Sequence, residues 1–317
     1  MKIFHGTDNA GILRGTVLTL GVFDGLHLGH QRIMQTVVES ANAIKAVPTV
    51  ITFDPHPRAV LHPESAPPLL QTFDQKIEAL GLLGIEQTIV IRFTQEFAHI
   101  RAEEFLHQVV HERLQAREVY LGRGFAFGQG REGNIELLQK VSARLGFYAA
   151  EVPEVRLRGR RISSSKIREL LTEGRVNLVR RMLGRPYGVE GPVVRGQQRG
   201  RTLGFPTANL APQNRVIPRA GVYVSATLIE GAWRRSITNV GTRPTFETEA
   251  APSVETFVMN WSGNLYGDVA RVRFLRRLRD ERKFSSVEEL RTQIGKDITR
   301  AENFFARGGV RKMLAIQ

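Results

Sequence analysis

The chain has 317 residues, a length that favours two domains, and at 42% hydrophobic and 24% charged its composition is that of an ordinary globular protein. It has no cysteine, which excludes disulfides, thiolate nucleophiles and Cys-ligated zinc. No apolar run approaches membrane-span length and Met1–Gly15 lacks a signal-peptide core, so the sequence reads as cytoplasmic with no membrane partner. The net charge of +14 attracts polyanions, a class that includes nucleic acids and nucleotides. No RNP, helix-turn-helix or zinc-finger signature accompanies the charge, so nucleic acid is not the expected partner.

The first half alternates strand and helix patterns. Val17–Leu20 reads as a strand, followed by Gly21-Val22-Phe23-Asp24-Gly25-Leu26-His27-Leu28-Gly29-His30 and a helix expected from about His30 to Ile44. Its apolar face would be Ile33, Met34, Val37, Val38 and Ala41. Then come a strand at Thr49–Phe53, a helix at Asp74–Leu83 capped by Asp74, and a strand at Thr88–Ile91. A helix at Ala102–Leu114, a strand at Glu118–Leu121, a helix at Ile135–Leu145 and a strand at Tyr148–Val152 complete the series. Such alternation predicts a parallel, doubly wound sheet.

After Gly184-Arg185-Pro186 the helical period mostly disappears, which puts the expected boundary near 183 and the domains at 1–183 and 184–317. Strand-like runs follow at Val189–Val194, Val222–Ile229, Arg234–Asn239, Val254–Trp261 and Val269–Leu275, with Glu230-Gly231 as a hairpin turn. They predict an antiparallel barrel. A helix from about Val287 to Phe305, capped by Ser285 or Ser286, closes the chain, with Leu290, Ile294, Ile298 and Ala301 as its buried stripe.

The Gly21–His30 stretch combines three needs of phosphate chemistry. Glycines such as Gly21 and Gly29 let backbone approach a ligand, the following helix offers N-terminal amides, and His27 and His30 add imidazole donors. Ile162–Arg168 carries Ser163, Ser164 and Ser165 at a helix start with Arg168 one turn on; this suits a triphosphate, or is an ordinary Ser cap with a solvated Arg. In Gly204-Phe205-Pro206-Thr207-Ala208-Asn209, Thr207 and Asn209 are hard oxygen donors suited to Mg²⁺, or parts of a Pro-led turn. Glu255, in an apolar strand, is either an outward residue or a general base. Gly128–Gly133 matches GxGxxG, with Glu151 at the dinucleotide-fold spacing, but follows its strand too late to be that fingerprint. His107 and His111 read as a solvated helix face rather than a metal pair.

An HxGH motif between strand and helix resembles the nucleotidylyltransferase signature. The ordered set resembles the prokaryotic bifunctional riboflavin kinase/FAD synthetase family over nearly the whole chain. The motifs are GxFDGxHxGH at Gly21–His30, TFDPHP at Thr52–Pro57, a GxDFxFG-like segment at Gly122–Gly128 and ISSTxIR at Ile162–Arg168. The second half adds GRxLGFPTAN at Gly200–Asn209, GVY at Gly221–Tyr223 and NxGxRPT at Asn239–Thr245. It continues with ET at Glu255–Thr256, LYG at Leu265–Gly267 and LRxExxF at Leu278–Phe284. The resemblance implies a Rossmann-like adenylyltransferase domain joined to a riboflavin kinase β-barrel. Together they would convert riboflavin to FMN and FMN to FAD with ATP and Mg²⁺.

It further implies roles. Glu255 would be the kinase base, with Thr207 and Asn209 at the metal and Gly204 beside ATP. His27 and His30 would meet the ATP α-phosphate, with Gly21, Phe23, Asp24 and Gly29 shaping that site. Ser163, Ser164 and Arg168 would hold the departing pyrophosphate. Pro57 and Arg243 would contact flavin, and Phe127 would be either a platform for the isoalloxazine or a core residue. The chain departs from the family pattern at Gly124, Ala126, Ser165, Phe257, Asn260 and Asn264. Two rivals are another nucleotidylyltransferase, which leaves the second half unexplained, and a nucleic-acid-binding protein resting on charge alone.

Overall fold

The structure, a computed structural model, describes residues 1–7, 15–195, 204–243, 251–263 and 265–307. It divides into two compact units. One holds Met1–Pro68 and Phe73–Ser163; the other holds Leu69–Thr72 and the chain from Ser164 onward.

The first unit is built on β1 (Lys2–His5), β2 (Thr16–Leu20), β3 (Val47–Phe53), β4 (Gln87–Ile91), β5 (Ala116–Gly122) and β6 (Tyr148–Val152). All pairings are parallel, in the order β1-β4-β3-β2-β5-β6. Its helices are α1 (Leu28–Ile44), α2 (Pro57–Leu61), α3 (Phe73–Leu82), α4 (Gln95–Ala98), α5 (Ala102–Phe105) and α6 (Ile135–Leu145). α5 runs on as a π-helix, Leu106–Arg113, within the single helix expected there.

Successive side chains of β2 serve opposite faces. Leu18 and Leu20 pack with Phe105, Leu106 and Val119, while Val17 packs with Ile33, Met34, Val37 and Ala41 of α1. A central strand covered on both sides must be apolar at nearly every position, which is why β2 reads as a continuous run. The strand order moves away from β2 in both directions, to β3 and β4 on one side and to β5 and β6 on the other. Loops leaving neighbouring strand ends at such a reversal diverge and open a crevice at the C-terminal edge of the sheet. The Gly21–His27 turn leaves β2 at that edge.

Three boundaries differ from the sequence expectation. α1 begins at Leu28 rather than near His30, because His27 serves as its cap. α3 begins at Phe73, so Asp74 lies inside its first turn instead of capping it. β1 was not expected; a four-residue, mostly exposed edge strand has too little apolar pattern to announce itself.

The second unit opens with α7 (Ser164–Thr172) and α8 (Val176–Leu183), which ends at Gly184 in the left-handed region. The six strands β9 (Tyr187–Val194), β10 (Thr207–Leu210), β11 (Gly221–Ile229), β12 (Ala232–Arg243), β13 (Ala251–Val258) and β14 (Val269–Arg279) close into a barrel ordered β10-β13-β12-β11-β14-β9. Every pairing is antiparallel. The turn Glu230-Gly231 has positive φ at both residues, 50° and 74°, the twist that a two-residue hairpin needs. α8 packs on β9 and β14, so this division of the packing falls upstream of the expected boundary near 183.

The barrel sorts its residues by strand alternation. Val222, Val224 and Ala226 face outward toward the terminal helix α9 (Val287–Ala306), joined by Ile237, Met259, Ala301 and Phe305. The intervening Ser225 and Thr227 face inward, where they meet Ser236, Thr238 and Thr256. These five hydroxyls are fully buried and hydrogen-bond one another at 2.7–3.2 Å, so a polar centre is accommodated without unmet partners.

Ser286 caps α9 by accepting from the Glu289 amide. Leu290, Ile294 and Ile298 of the expected stripe are only half-buried. The helix is instead anchored by an ion pair between Asp297, 3% exposed, and Arg279 at 2.8 Å. Asp297→Ala should destabilise the barrel by about 3–5 kcal/mol, because it leaves Arg279 unpaired in a largely buried place. The paired change Arg279→Met/Asp297→Leu should recover most of that loss in urea unfolding of the full chain.

Candidate active site

The Gly21–His30 turn is coiled tightly. Phe23, Gly25 and Leu26 all have positive φ, at 51°, 82° and 40°. The Phe23 ring folds back over Gly21, where a Cβ would lie 2.9 Å from it. Gly29 gives room in the same way to His27, whose ring would lie 3.1 Å from a Cβ there. Asp24 and His27 are buried, at 6% and 7% exposure.

His27 caps α1: its Nδ1 accepts the His30 backbone N–H at 3.3 Å. An accepting Nδ1 carries no proton, so this bond assigns the ring proton of His27 to Nε2. The two imidazoles stack at 3.7 Å and 17°, and Phe23 meets His30 edge-on at 5.3 Å. Burial, and then the neighbouring His27, hold the pKa of His30 well below the usual histidine range. Its Nδ1 is buried without a hydrogen-bond partner among the described residues. The turn therefore offers hydrogen-bonding imidazoles and helix amides to an anion, with His30 neutral near pH 7.

The other expected residues of the first half are distributed. Ser163 ends the first unit, whereas Ser164 and half-buried Arg168 belong to α7 of the second. Pro57 opens α2 beneath a cap in which His56 accepts from the Arg58 amide at 3.0 Å. Phe127 is a core residue: it is 8% exposed, packs with Phe105 and stacks on Phe125. Of the two roles open to it in the sequence, the packing describes the core one.

The GxGxxG segment is structural too. A Cβ at Gly128 would lie 2.6 Å from Ala102, and Glu151 accepts from the Gly124 amide. His107 pairs with Glu112 at 3.2 Å, and among the described residues no metal-binding cluster of His, Cys, Asp or Glu forms.

In the barrel, strand register brings distant motifs into one row. Asn209 on β10 is opposite Glu255 on β13, and Glu255 is opposite Asn239 on β12. Directly opposed residues share a face, so the three side chains line one stripe of the barrel's outer surface. Thr207 lies in the next row, opposite Phe257 and thus near Ile237. The Pro-led segment after Gly204 thus enters a strand rather than ending in a turn. Asn209 is buried at 4% exposure, and the oxygen donors present suit a hard cation.

Glu281, a residue to which the sequence assigned no role, joins this stripe by accepting from Asn239 Nδ2 at 3.2 Å. Gly241 makes room for it: a Cβ there would lie 2.4 Å from Glu281 Oε1. Phe257, one of the departures from the family pattern, packs edge-on against Phe205 at 5.7 Å and with the cluster under α9. Asn260 has φ 53°, a turn conformation that asparagine tolerates. Arg243 ends β12. Gly200–Leu203, Pro244, Thr245 and Asn264 lie outside the described residues.

A parallel sheet with a histidine-bearing turn at its reversal point, followed by a six-stranded barrel bearing a carboxylate–carboxamide row, defines a two-part enzyme of phosphate chemistry. Family models agree part by part: FAD synthetase matches residues 10–166 and riboflavin kinase matches residues 183–305. Among curated relatives, the bifunctional riboflavin kinase/FMN adenylyltransferase of Haemophilus influenzae is 36% identical over 307 residues, covering 96% of this chain and 99% of its own. The enzyme of the same name from Escherichia coli K12 is 33% identical over 308 residues, 96% of this chain and 98% of its own. A solved structure titled as a macrolide-efflux protein from Streptococcus pneumoniae superposes with a TM-score of 0.88 at 29% identity, covering 96% of this chain and 99% of its own. Among the described residues no helix is long and apolar enough to cross a membrane. The chain belongs to the bifunctional riboflavin kinase/FMN adenylyltransferase family, and so joins a riboflavin kinase to an FAD synthetase.

The setting of His30 predicts a titration. Its folded pKa lies below the ordinary value near 6.5, so the unfolded chain takes up the proton first. Stability is then lost as pH falls from that range toward the depressed value. Imidazole ¹⁵N NMR should find His30 neutral where an ordinary histidine is half protonated, and His30→Asn should flatten the loss of stability below pH 6.5.

Proposed function

We propose that the two activities use separate sites, one in each unit: adenylyl transfer from ATP to FMN at the Gly21–His30 turn, and phosphorylation of riboflavin at the Asn209–Glu255–Asn239 row. The observation that carries this reading is the strand register that sets Glu255 between two carboxamides on one barrel face. The wider domain assignment, adenylation before about residue 183 and kinase chemistry after it, is supported by the gap between the two matched family regions.

In the kinase reaction a ribityl hydroxyl attacks the γ-phosphorus of ATP as the bond to ADP breaks, and must lose its proton. Glu255 is the base that takes it. Asn209 and Asn239 flank that carboxylate, and Glu281 orients Asn239 from behind. The oxygens of Thr207 and Asn209 fit Mg²⁺, which when bound offsets charge on the ATP phosphates. Gly204, with φ 83° just before this strand, allows close approach of the nucleotide backbone. Arg243 contacts the flavin.

In the adenylyl transfer the nucleophile is the FMN phosphate, already ionised at neutral pH, so no general base is needed. An FMN oxygen bonds to the α-phosphorus of ATP as the bond to pyrophosphate breaks. Catalysis is positioning plus electrostatics. His27, through Nε2–H, and His30 donate to the α-phosphate, and Gly21, Phe23, Asp24 and Gly29 shape the turn that holds them. Ser163 takes the pyrophosphate, and Pro57 lies against the flavin. ATP as co-substrate is consistent with a cytoplasmic location.

Two substitutions in the full chain separate the sites. Glu255→Gln should lower FMN formation from riboflavin by roughly 10²–10⁴-fold while sparing FAD formation from supplied FMN. Chromatographic separation of riboflavin, FMN and FAD over time reads both; a kinase rate within a few fold of wild type in folded protein refutes the base. His30→Ala should lower FAD formation by about 10²–10³-fold, chiefly in kcat, and leave riboflavin phosphorylation nearly intact. Because His27 already caps α1, the melting temperature should change little; unchanged adenylation removes His30 from the reaction.

A further inference from the structure

Lys76 is buried, at 8% exposure, inside α3 of the first unit. A buried ammonium ordinarily meets acceptors for its three donors or a carboxylate in direct contact. Lys76 has neither in full. Among the described residues its Nζ makes one hydrogen bond, to Thr52 Oγ1 at 3.3 Å, and lies over the Phe73 ring at 5.6 Å. Thr52 in turn donates to the Val22 carbonyl at 3.3 Å, inside the Gly21–His30 turn. Lys76 thus stands at the C-terminal end of β3, the strand beside β2, and its one partner is bonded to the phosphate-binding turn itself. The charged groups facing it are exposed Asp54, just past β3, and buried Asp24 of the turn. Burial lowers its pKa and these carboxylates act against the fall.

We propose that Lys76 is a substrate-binding residue of the adenylylation site, its spare ammonium donors taking oxygens of a substrate phosphate. The inference rests on the reading of the Gly21–His30 turn as the adenylylation site. It adds a cation from outside every motif that the sequence displays. The chemistry it recognises is an anionic phosphate, supplied by either the nucleotide or FMN. The protein has left the cation under-coordinated where, in the crevice, a phosphate completes its shell.

The test uses the full chain and compares Lys76→Met, which keeps the length and removes the charge, with Lys76→Arg. FAD formation is measured with ATP and FMN varied in turn, riboflavin phosphorylation serves as a control within the same molecule, and melting curves are recorded. Lys76→Met should lower kcat/KM for FAD formation at least 100-fold, and Lys76→Arg should recover part of it. Riboflavin phosphorylation should stay within twofold, and the melting temperature should hold or rise, since a buried charge has been removed. A KM raised for ATP alone assigns the phosphate to the nucleotide; a KM raised for FMN alone assigns it to the flavin.

Adenylation within threefold of wild type in folded Lys76→Met overturns the proposal. So does a loss that tracks a lower melting temperature and a parallel loss of kinase activity, which marks a structural lysine. If Lys76→Met does not fold, Thr52→Val frees the ammonium without removing it and must raise one substrate's KM at least threefold; no change overturns the proposal. Failure of the wild-type chain to make FAD from FMN is a different outcome: it refutes the adenylylation reading, and the role of Lys76 with it.

Discussion

The hydrogen bond from the His30 amide to His27 Nδ1 fixes the adenylylating half of the molecule. It starts α1 at Leu28, sets the tautomer of His27 and brings the second imidazole into stacking contact at 3.7 Å. Much of the surrounding sequence serves that bond. Gly29 leaves room for the ring, and positive φ at Phe23, Gly25 and Leu26 turns the chain sharply enough for a residue three before His30 to reach its amide. The sheet does the remainder, holding β2 between β3 and β5 so that the turn emerges at the reversal of strand order. Side-chain placement and helix geometry therefore depend on one another, because the capping ring and the stacked ring lie in the same turn.

The barrel solves the same problem by different means. No single turn gathers its polar row; strand pairing does, aligning Asn209, Glu255 and Asn239 from three strands. Alternation then separates two environments on the same strands. Thr256 enters the closed hydroxyl centre while its neighbour Glu255 faces outward. A one-residue slip of β13 would exchange them, burying a carboxylate among hydroxyls and exposing a threonine. The interior network, satisfied only in the native register, therefore also protects the orientation of the outer row.

The sequence makes local chemistry legible and register less so. The Gly21–His30 turn, the strand–helix alternation, the Glu230-Gly231 hairpin and the Ser286 cap are contiguous signals, and each is found where its pattern lies. Thr207–Leu210 reads as part of a motif but not as a strand, because four residues after a proline carry little periodicity. Glu281 and Asn239 gained their place only through pairing across the barrel, although both lie in quoted motifs. Lys76 had no signal at all: a lysine in an amphipathic helix reads as solvated until the fold buries it. Phe127 carries the complementary ambiguity, since an aromatic residue near glycines looks equally suited to a ligand or to a core.

The four residues Leu69–Thr72 give the chain an unusual connectivity. They belong with the barrel, where Tyr187 donates to the Leu70 carbonyl at 2.9 Å and Thr72 donates to buried Glu190 at 2.7 Å. The backbone consequently passes between the units three times, at 68/69, 72/73 and 163/164. Neither unit is thus one uninterrupted stretch of chain. During synthesis, part of the second unit leaves the ribosome before the first is complete and must wait for its barrel. A recombination event that exchanges one half for another at a single crossover strands this segment among residues that did not evolve with it, so the fused gene is harder to separate than its two activities suggest.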